Sequence, residues 1–172
     1  LDGTSAVMLS GETAVGKYPV EAVETLATIA LRAEASLHEY GYLQKILPNP
    51  SNRVTEAIAR YAVQMADSLE AAAILSITDT GFTSRLVSKH RPDCPILAIT
   101  RSKLVARRLA MNWGVTPIRY DDGDDDEAKL VYALQEARRM GFVSAGDTVV
   151  VTSGYQQTTG GTDLIRVVTV EG

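Results

Sequence analysis

Three threonines around one glycine set the chemistry that this sequence offers: Thr78, Thr80 and Thr83 flank Gly81 in the stretch Thr78-Asp79-Thr80-Gly81-Phe82-Thr83. Hydroxyls donate to oxyanions, and a glycine lets the backbone turn where a new helix presents amides without acceptors, so Gly81, Phe82 and Thr83 could cradle a phosphate. The same residue types also make an ordinary helix cap, in which Thr80 or Thr83 satisfies an amide and no ligand exists. A second loop, Thr152 to Thr162, repeats the composition with Ser153, Gly154, Thr158, Thr159, Gly160 and Gly161. Other chemistry finds less support. Cys94 is the single cysteine, which permits no internal disulfide and no cysteine metal site, and His38 and His90 are too few and too isolated to form a ligand set. No nucleophile stands paired with a base. The acids from Asp121 to Glu127 lack the ligand spacing of an EF-hand and read as a surface turn that complements the dipole of the next helix.

The elements that must hold these loops follow from the apolar pattern. The unbroken run Ala71 to Ile77 reads as a strand buried on both faces, and the segment after Gly81 has a helix's spacing, with Leu86 and Val87 inward and Arg85 and Lys89 outward. A helix over Thr55 to Ser68 precedes them. After them come a strand at Ile96 to Ile99, a helix capped by Ser102 with Leu104, Val105 and Leu109 inward and a stop near Asn112, and a strand at Val115 to Tyr120. A helix with Leu130, Val131, Leu134 and Ala137 inward then leads to strands at Thr148 to Thr152 and Leu164 to Val170. Pro117 lacks the ladder donor, so the third strand belongs at a sheet edge. No helix joins the last two strands, which predicts an antiparallel pair. The expected fold is therefore α/β, a three-layer α/β/α sandwich whose five-stranded, mostly parallel sheet runs 3-2-1-4-5 with the last strand antiparallel. Strand order reverses between the first and fourth strands, and ligands of open α/β sheets bind beyond the carboxyl ends at such a point. Both hydroxyl-rich loops meet there. That coincidence favours a small phosphorylated ligand over a bare cap.

Ahead of this domain, Ala6 to Leu9 reads as a short buried strand, Ser10-Gly11-Glu12-Thr13 as a polar loop, and the segment from Pro19 as a helix with Val20, Val23, Leu26, Ala27, Ala30 and Leu31 on one face. One strand cannot make a sheet, so residues 1–37 read as a βα unit cut from a larger parallel array, followed by a linker over 38–53 and the main domain over 54–172. The chain starts at Leu1 without an initiator methionine and is read as a piece of something longer. Its net charge is −4, which offers no basic face to nucleic acid or anionic lipid; no segment has membrane-spanning length and none resembles a signal peptide. An intracellular, cytoplasmic protein is the expectation.

The opening Leu1-Asp2-Gly3-Thr4-Ser5-Ala6-Val7-Met8-Leu9-Ser10-Gly11-Glu12-Thr13-Ala14, with Gly16-Lys17-Tyr18-Pro19-Val20-Glu21-Ala22-Val23, closely resembles pyruvate kinase. The resemblance continues through Thr55-Glu56-Ala57, Ser88-Lys89-His90-Arg91-Pro92, Pro95 to Arg101 and Gly114 to Ile118. It implies the carboxyl-terminal part of that glycolytic enzyme: the last strand and helix of its catalytic TIM barrel, then an allosteric α/β domain that binds effectors and contributes to a tetramer. On this resemblance the parent transfers phosphate from phosphoenolpyruvate to ADP with Mg2+ and K+, while the main catalytic groups lie on earlier barrel strands. No cofactor, metal ligand or catalytic residue is then expected in this chain, which should be inactive alone. Ser10 and Glu12 either support the catalytic site from behind or cap the next helix and hold the barrel closed. The family's effector loop is matched by Thr78, Thr80, Gly81 and Thr83. Asp79 stands where the sugar-bisphosphate-activated animal enzymes carry a basic residue, and the second loop has Tyr155, Gln156, Gln157, Thr158 and Thr159 in place of an arginine and a tryptophan. AMP or a sugar monophosphate is therefore expected rather than a bisphosphate. A stand-alone phosphate-binding module without catalysis is the alternative, and the retained Ser10-to-Thr13 stretch argues against it.

Overall fold

A computed structural model of the chain describes residues 3–37, 52–123, 125–154 and 161–172. It divides into two compact units, Leu1–Ile46 and Leu47–Gly172. The expected linker lies almost wholly outside the described residues.

In the first unit, residues 3–10 form no strand, which corrects the expectation for Ala6 to Leu9. Extended backbone needs a neighbouring ladder to satisfy its polar groups, and among the described residues none pairs with this stretch; Met8 is 86% exposed. The polar stretch after it is a single helical turn, α1 (Gly11–Ala14), and Pro19 opens α2 (Pro19–Ala35) with Glu21 in its first turn and Arg32 in its last, each matched to the dipole. Of the apolar face expected on α2, Leu26 and Ala30 are half-buried, whereas Val20, Val23 and Leu31 are exposed.

The second unit runs α3 (Arg53–Ser68), β1 (Ala73–Ile77), α4 (Phe82–Lys89), β2 (Ile96–Thr100), α5 (Lys103–Leu109), β3 (Val115–Arg119), α6 (Asp126–Arg139), β4 (Thr148–Ser153) and β5 (Leu164–Thr169). Its sheet has the order β3-β2-β1-β4-β5, parallel throughout except for the antiparallel β4–β5 pair. Pro117 lies within the edge strand β3, in register with Ala98. Alternate strand residues face opposite layers. Ile74, Ile96, Ala98 and Val150 pack with Ala59, Ala62, Val63 and Ala66 of α3, Leu86 and Val87 of α4 and Leu109 of α5, while Leu75, Leu97, Ile99, Val149 and Val151 pack with Leu130, Ala133 and Ala137 of α6. Three layers result. Leu104 and Val131, expected inward, are exposed instead. Adjacent helical residues are about 100° apart, so with Val105 packed on the core and Leu130 buried, their neighbours turn outward. α5 ends at Leu109, three residues before Asn112, whose amide closes the turn onto the Leu109 carbonyl at 2.9 Å.

Candidate functional site

β1 delivers Thr78 to the carboxyl end of the sheet, where the chain turns through Asp79, Thr80 and Gly81 into α4. Gly81 is the N-cap residue and adopts φ 78°, the left-handed region open to glycine. A Cβ there would also lie 3.0 Å from the Leu109 side chain, so both conformation and space call for glycine. The Gly81 amide donates to Thr78 Oγ1 at 3.0 Å, and Thr78 is buried.

The start of α4 differs from those of the next two helices. Ser102 caps α5 by accepting from the Val105 amide and Asp125 caps α6 by accepting from the Glu127 amide, whereas α4, like α1, α2 and α3, has no side-chain cap among the described residues, its N-cap residue Gly81 having no side chain to offer. The cap reading of the loop would need Thr80 or Thr83 to fill that role. Thr80 is exposed. Thr83 is 2% exposed and its hydroxyl lies 2.6 Å from that of Thr162, in the connection leading to β5. Among the described residues, the first-turn amides of α4 thus carry the positive end of the dipole without a side-chain acceptor.

Sequence reasoning left Arg85 as a plain outward residue. Its guanidinium donates to the Thr80 carbonyl at 3.3 Å and lies over the ring of half-buried Phe82, at 5.8 Å from the centroid. The signal available was the i,i+3 spacing of Phe82 and Arg85, which puts them on one helix face. A cation beside uncapped amides strengthens the attraction for an anion.

The neighbouring strand adds a polar atom with nothing to bond. Thr152, at the end of β4, is fully buried, and its hydroxyl has no hydrogen-bond partner among the described residues. It stands in register with Ser76 of β1, whose hydroxyl accepts from Ser84 of α4 at 3.0 Å. Thr55 of α3 donates to the Thr162 carbonyl at 3.4 Å. Buried hydroxyls therefore join β1 to α4 through Ser76 and Ser84, and join α3 and α4 to the approach to β5 through Thr55, Thr83 and Thr162, near the point where strand order reverses. Ser153 and Gly154 are half-buried at the end of β4; Thr158, Thr159 and Gly160 lie outside the described residues.

Asp79 has a different setting. It is exposed and lines an open cleft of about 500 Å³ with Thr100, Arg101, Ser102 and Asp121, and Asp121 is ion-paired to Arg119 at 2.8 Å. In the first unit, the Ser10 amide donates to Glu12 Oε2 at 2.9 Å, and the amides of Glu12 and Ser10 hold the Glu12 carboxyl below its usual range. That is a cap arrangement at the start of α1. Cys94, pushed up to about 11 by burial, stays a thiol, and burial likewise lowers the pKa of His90. Among the described residues, no three His, Cys, Asp or Glu side chains gather to hold a metal ion, and no helix is long and apolar enough to cross a membrane.

Comparison with known proteins matches residues 56–168 to the family model described as pyruvate kinase, alpha/beta domain. Among similar proteins, the pyruvate kinase of Clostridium acetobutylicum is 42% identical over 171 residues, covering 99% of this chain and 36% of that protein. That of Lactococcus lactis is 40% identical over 171 residues, covering 99% and 34%, and that of Geobacillus stearothermophilus is 42% identical over 167 residues, covering 96% and 28%. The chain thus spans about a third of the length of these relatives.

Proposed function

The chain belongs to the family of the pyruvate kinase alpha/beta domain, and from that membership we propose that its second unit is an allosteric domain that takes a phosphorylated effector at the amino end of α4. The observation that carries this reading is the helix start itself: α4 opens on a left-handed glycine, has no side-chain cap among the described residues and has Arg85 bonded to its loop. A phosphate would receive the first-turn amides, with the Thr80 hydroxyl and the Arg85 guanidinium beside it. The hydroxyls of Thr78 and Thr83 then act by holding the turn's shape. Ser153, Gly154, Thr158, Thr159 and Gly160 would supply the second side of the site. The exposed Asp79 carboxylate opposes a second phosphate beside this turn, so AMP or a sugar monophosphate suits the site better than a bisphosphate.

In this reading the parent is a cytoplasmic, glycolytic pyruvate kinase, a homotetramer that moves the phosphoryl group of phosphoenolpyruvate to ADP with Mg2+ and K+. The described residues contain no gathered ligand set for such a divalent cation, and no step of the transfer is assigned to them. The first unit is the closing βα segment of the barrel, where Ser10 and Glu12 cap a turn. Titration calorimetry of the chain with AMP, glucose 6-phosphate and ribose 5-phosphate tests the site. One saturable site, displaced by inorganic phosphate, is the expected result; no heat from any of the three and no retention of phosphate would remove the reading.

A further inference from the structure

Thr162 bonds to two helices at once. It is 7% exposed and sits two residues before β5; its hydroxyl lies 2.6 Å from that of Thr83, the second residue of α4, and its carbonyl accepts from the hydroxyl of Thr55, the third residue of α3. All three threonines are buried. Buried hydroxyl pairs are bonded at the expense of no competing water, so they fix geometry closely and are costly to leave unmade. α3 is the first helix of the second unit.

We infer that Thr162 is a positioning residue that clamps the anion-binding turn of α4 to the first turn of α3, so that a phosphate ester arriving at α4 tightens the start of α3. This rests on the proposed effector site. The apolar packing of α3 on β1 and β4 supplies the rest of the path, since Ala59, Ala62 and Val63 share a core with Ile74 and Val150. No movement of a larger element is required. Local opening of one helical turn is a low-energy event, and hydrogen exchange reports it directly.

The test follows amide exchange of Ala57 to Arg60, which close the first turn of α3, with and without saturating AMP, alongside AMP affinity by calorimetry. In the unaltered chain AMP should slow these amides by about threefold or more. Thr162→Val keeps the shape but removes the hydroxyl, and Thr55→Val removes the donor on the other side; both should lose the slowing, Thr55→Val with AMP affinity within about twofold of the unaltered chain. Thr162→Ser restores a hydroxyl and should restore the slowing. If Thr162→Val fails to fold, as read by circular dichroism, Thr55→Val decides alone. Slowing that persists in the valine variants overturns the clamp, and so does AMP binding without any slowing in the unaltered chain, which would leave the effector site standing. Failure of AMP and inorganic phosphate to bind any form removes both the site and the clamp.

Discussion

Thr80 and Thr83 sit three residues apart and do different work, and substitution separates them. Thr80 is exposed on the loop, whereas Thr83 is buried against Thr162. Thr80→Ala removes one hydroxyl donor to an ionised partner, worth about 1.5–3 kcal/mol, so AMP affinity should fall roughly tenfold or more while the melting temperature holds. Thr83→Ala instead leaves the Thr162 hydroxyl buried and unpaired, at a cost of about 1–3 kcal/mol, and should lower the melting temperature. Calorimetry and thermal melts on both variants check this; an unchanged affinity in Thr80→Ala would sink the role given to its hydroxyl. Burial also gives His90 a part in the pH dependence of stability. Its Nε2 is buried without a partner among the described residues, and burial lowers its pKa below the ordinary 6.5. The unfolded chain therefore takes up a proton that the folded chain refuses as pH falls through that value, so stability drops on the acid side and is unaffected above it. Between pH 7.5 and 5.5, His90→Gln should lose less stability than the unaltered chain, and equal losses would put the titrating group elsewhere. Residue types and spacing made the loop legible in the sequence; the inward turn of Thr83 and the bond from Arg85 were not, because spacing says which residues are near and not which way a hydroxyl or guanidinium points.

The strands that lie deepest were the easiest to read. β1 and β2 are continuous apolar runs, and Pro117 alone was enough to place β3 at the edge, since an interior position would leave a neighbouring carbonyl without its donor. Helix faces were less certain wherever two apolar residues are adjacent, as at Leu104-Val105 and Leu130-Val131, because only contact with the sheet decides which of the two goes in. Ala6 to Leu9 failed for another reason: four apolar residues satisfy the composition of a strand, but a strand is made by its neighbours. Amide exchange should show the difference directly. The amides of Ala6 to Leu9 should exchange early, and those of Ile74 to Ile77, held between β2 and β4, should exchange near the limit set by global unfolding. Equal protection would mean that the opening stretch pairs with another strand in solution.

At the scale of the whole chain, the two units are built unequally. The second closes a core on both faces of its sheet, with Ile74, Leu75, Ile96, Leu97, Val149 and Val150 fully buried, whereas among the described residues of the first neither α1 nor α2 buries a residue, and Val7, Met8, Val15, Tyr18, Val20, Ile29 and Leu31 are exposed. Apolar surface left in water contributes nothing to folding, at about 25 cal/mol for each Å² not buried, so the stability of the chain should reside in residues 47–172. Those residues expressed alone should unfold in one cooperative transition, with a melting temperature within a few degrees of the full chain's and with the same AMP affinity. Binding of an apolar-surface dye should fall when residues 1–46 are removed, because the exposed side chains go with them. The same inequality predicts that the 172-residue chain forms no pyruvate from phosphoenolpyruvate and ADP above a boiled control, since the transfer needs cations and phosphoryl-binding groups held in one rigid site, and the helices described in the first unit, the barrel segment of the proposed reading, bury no residue. A lower melting temperature together with lost AMP binding in 47–172 would overturn this placing of the stability.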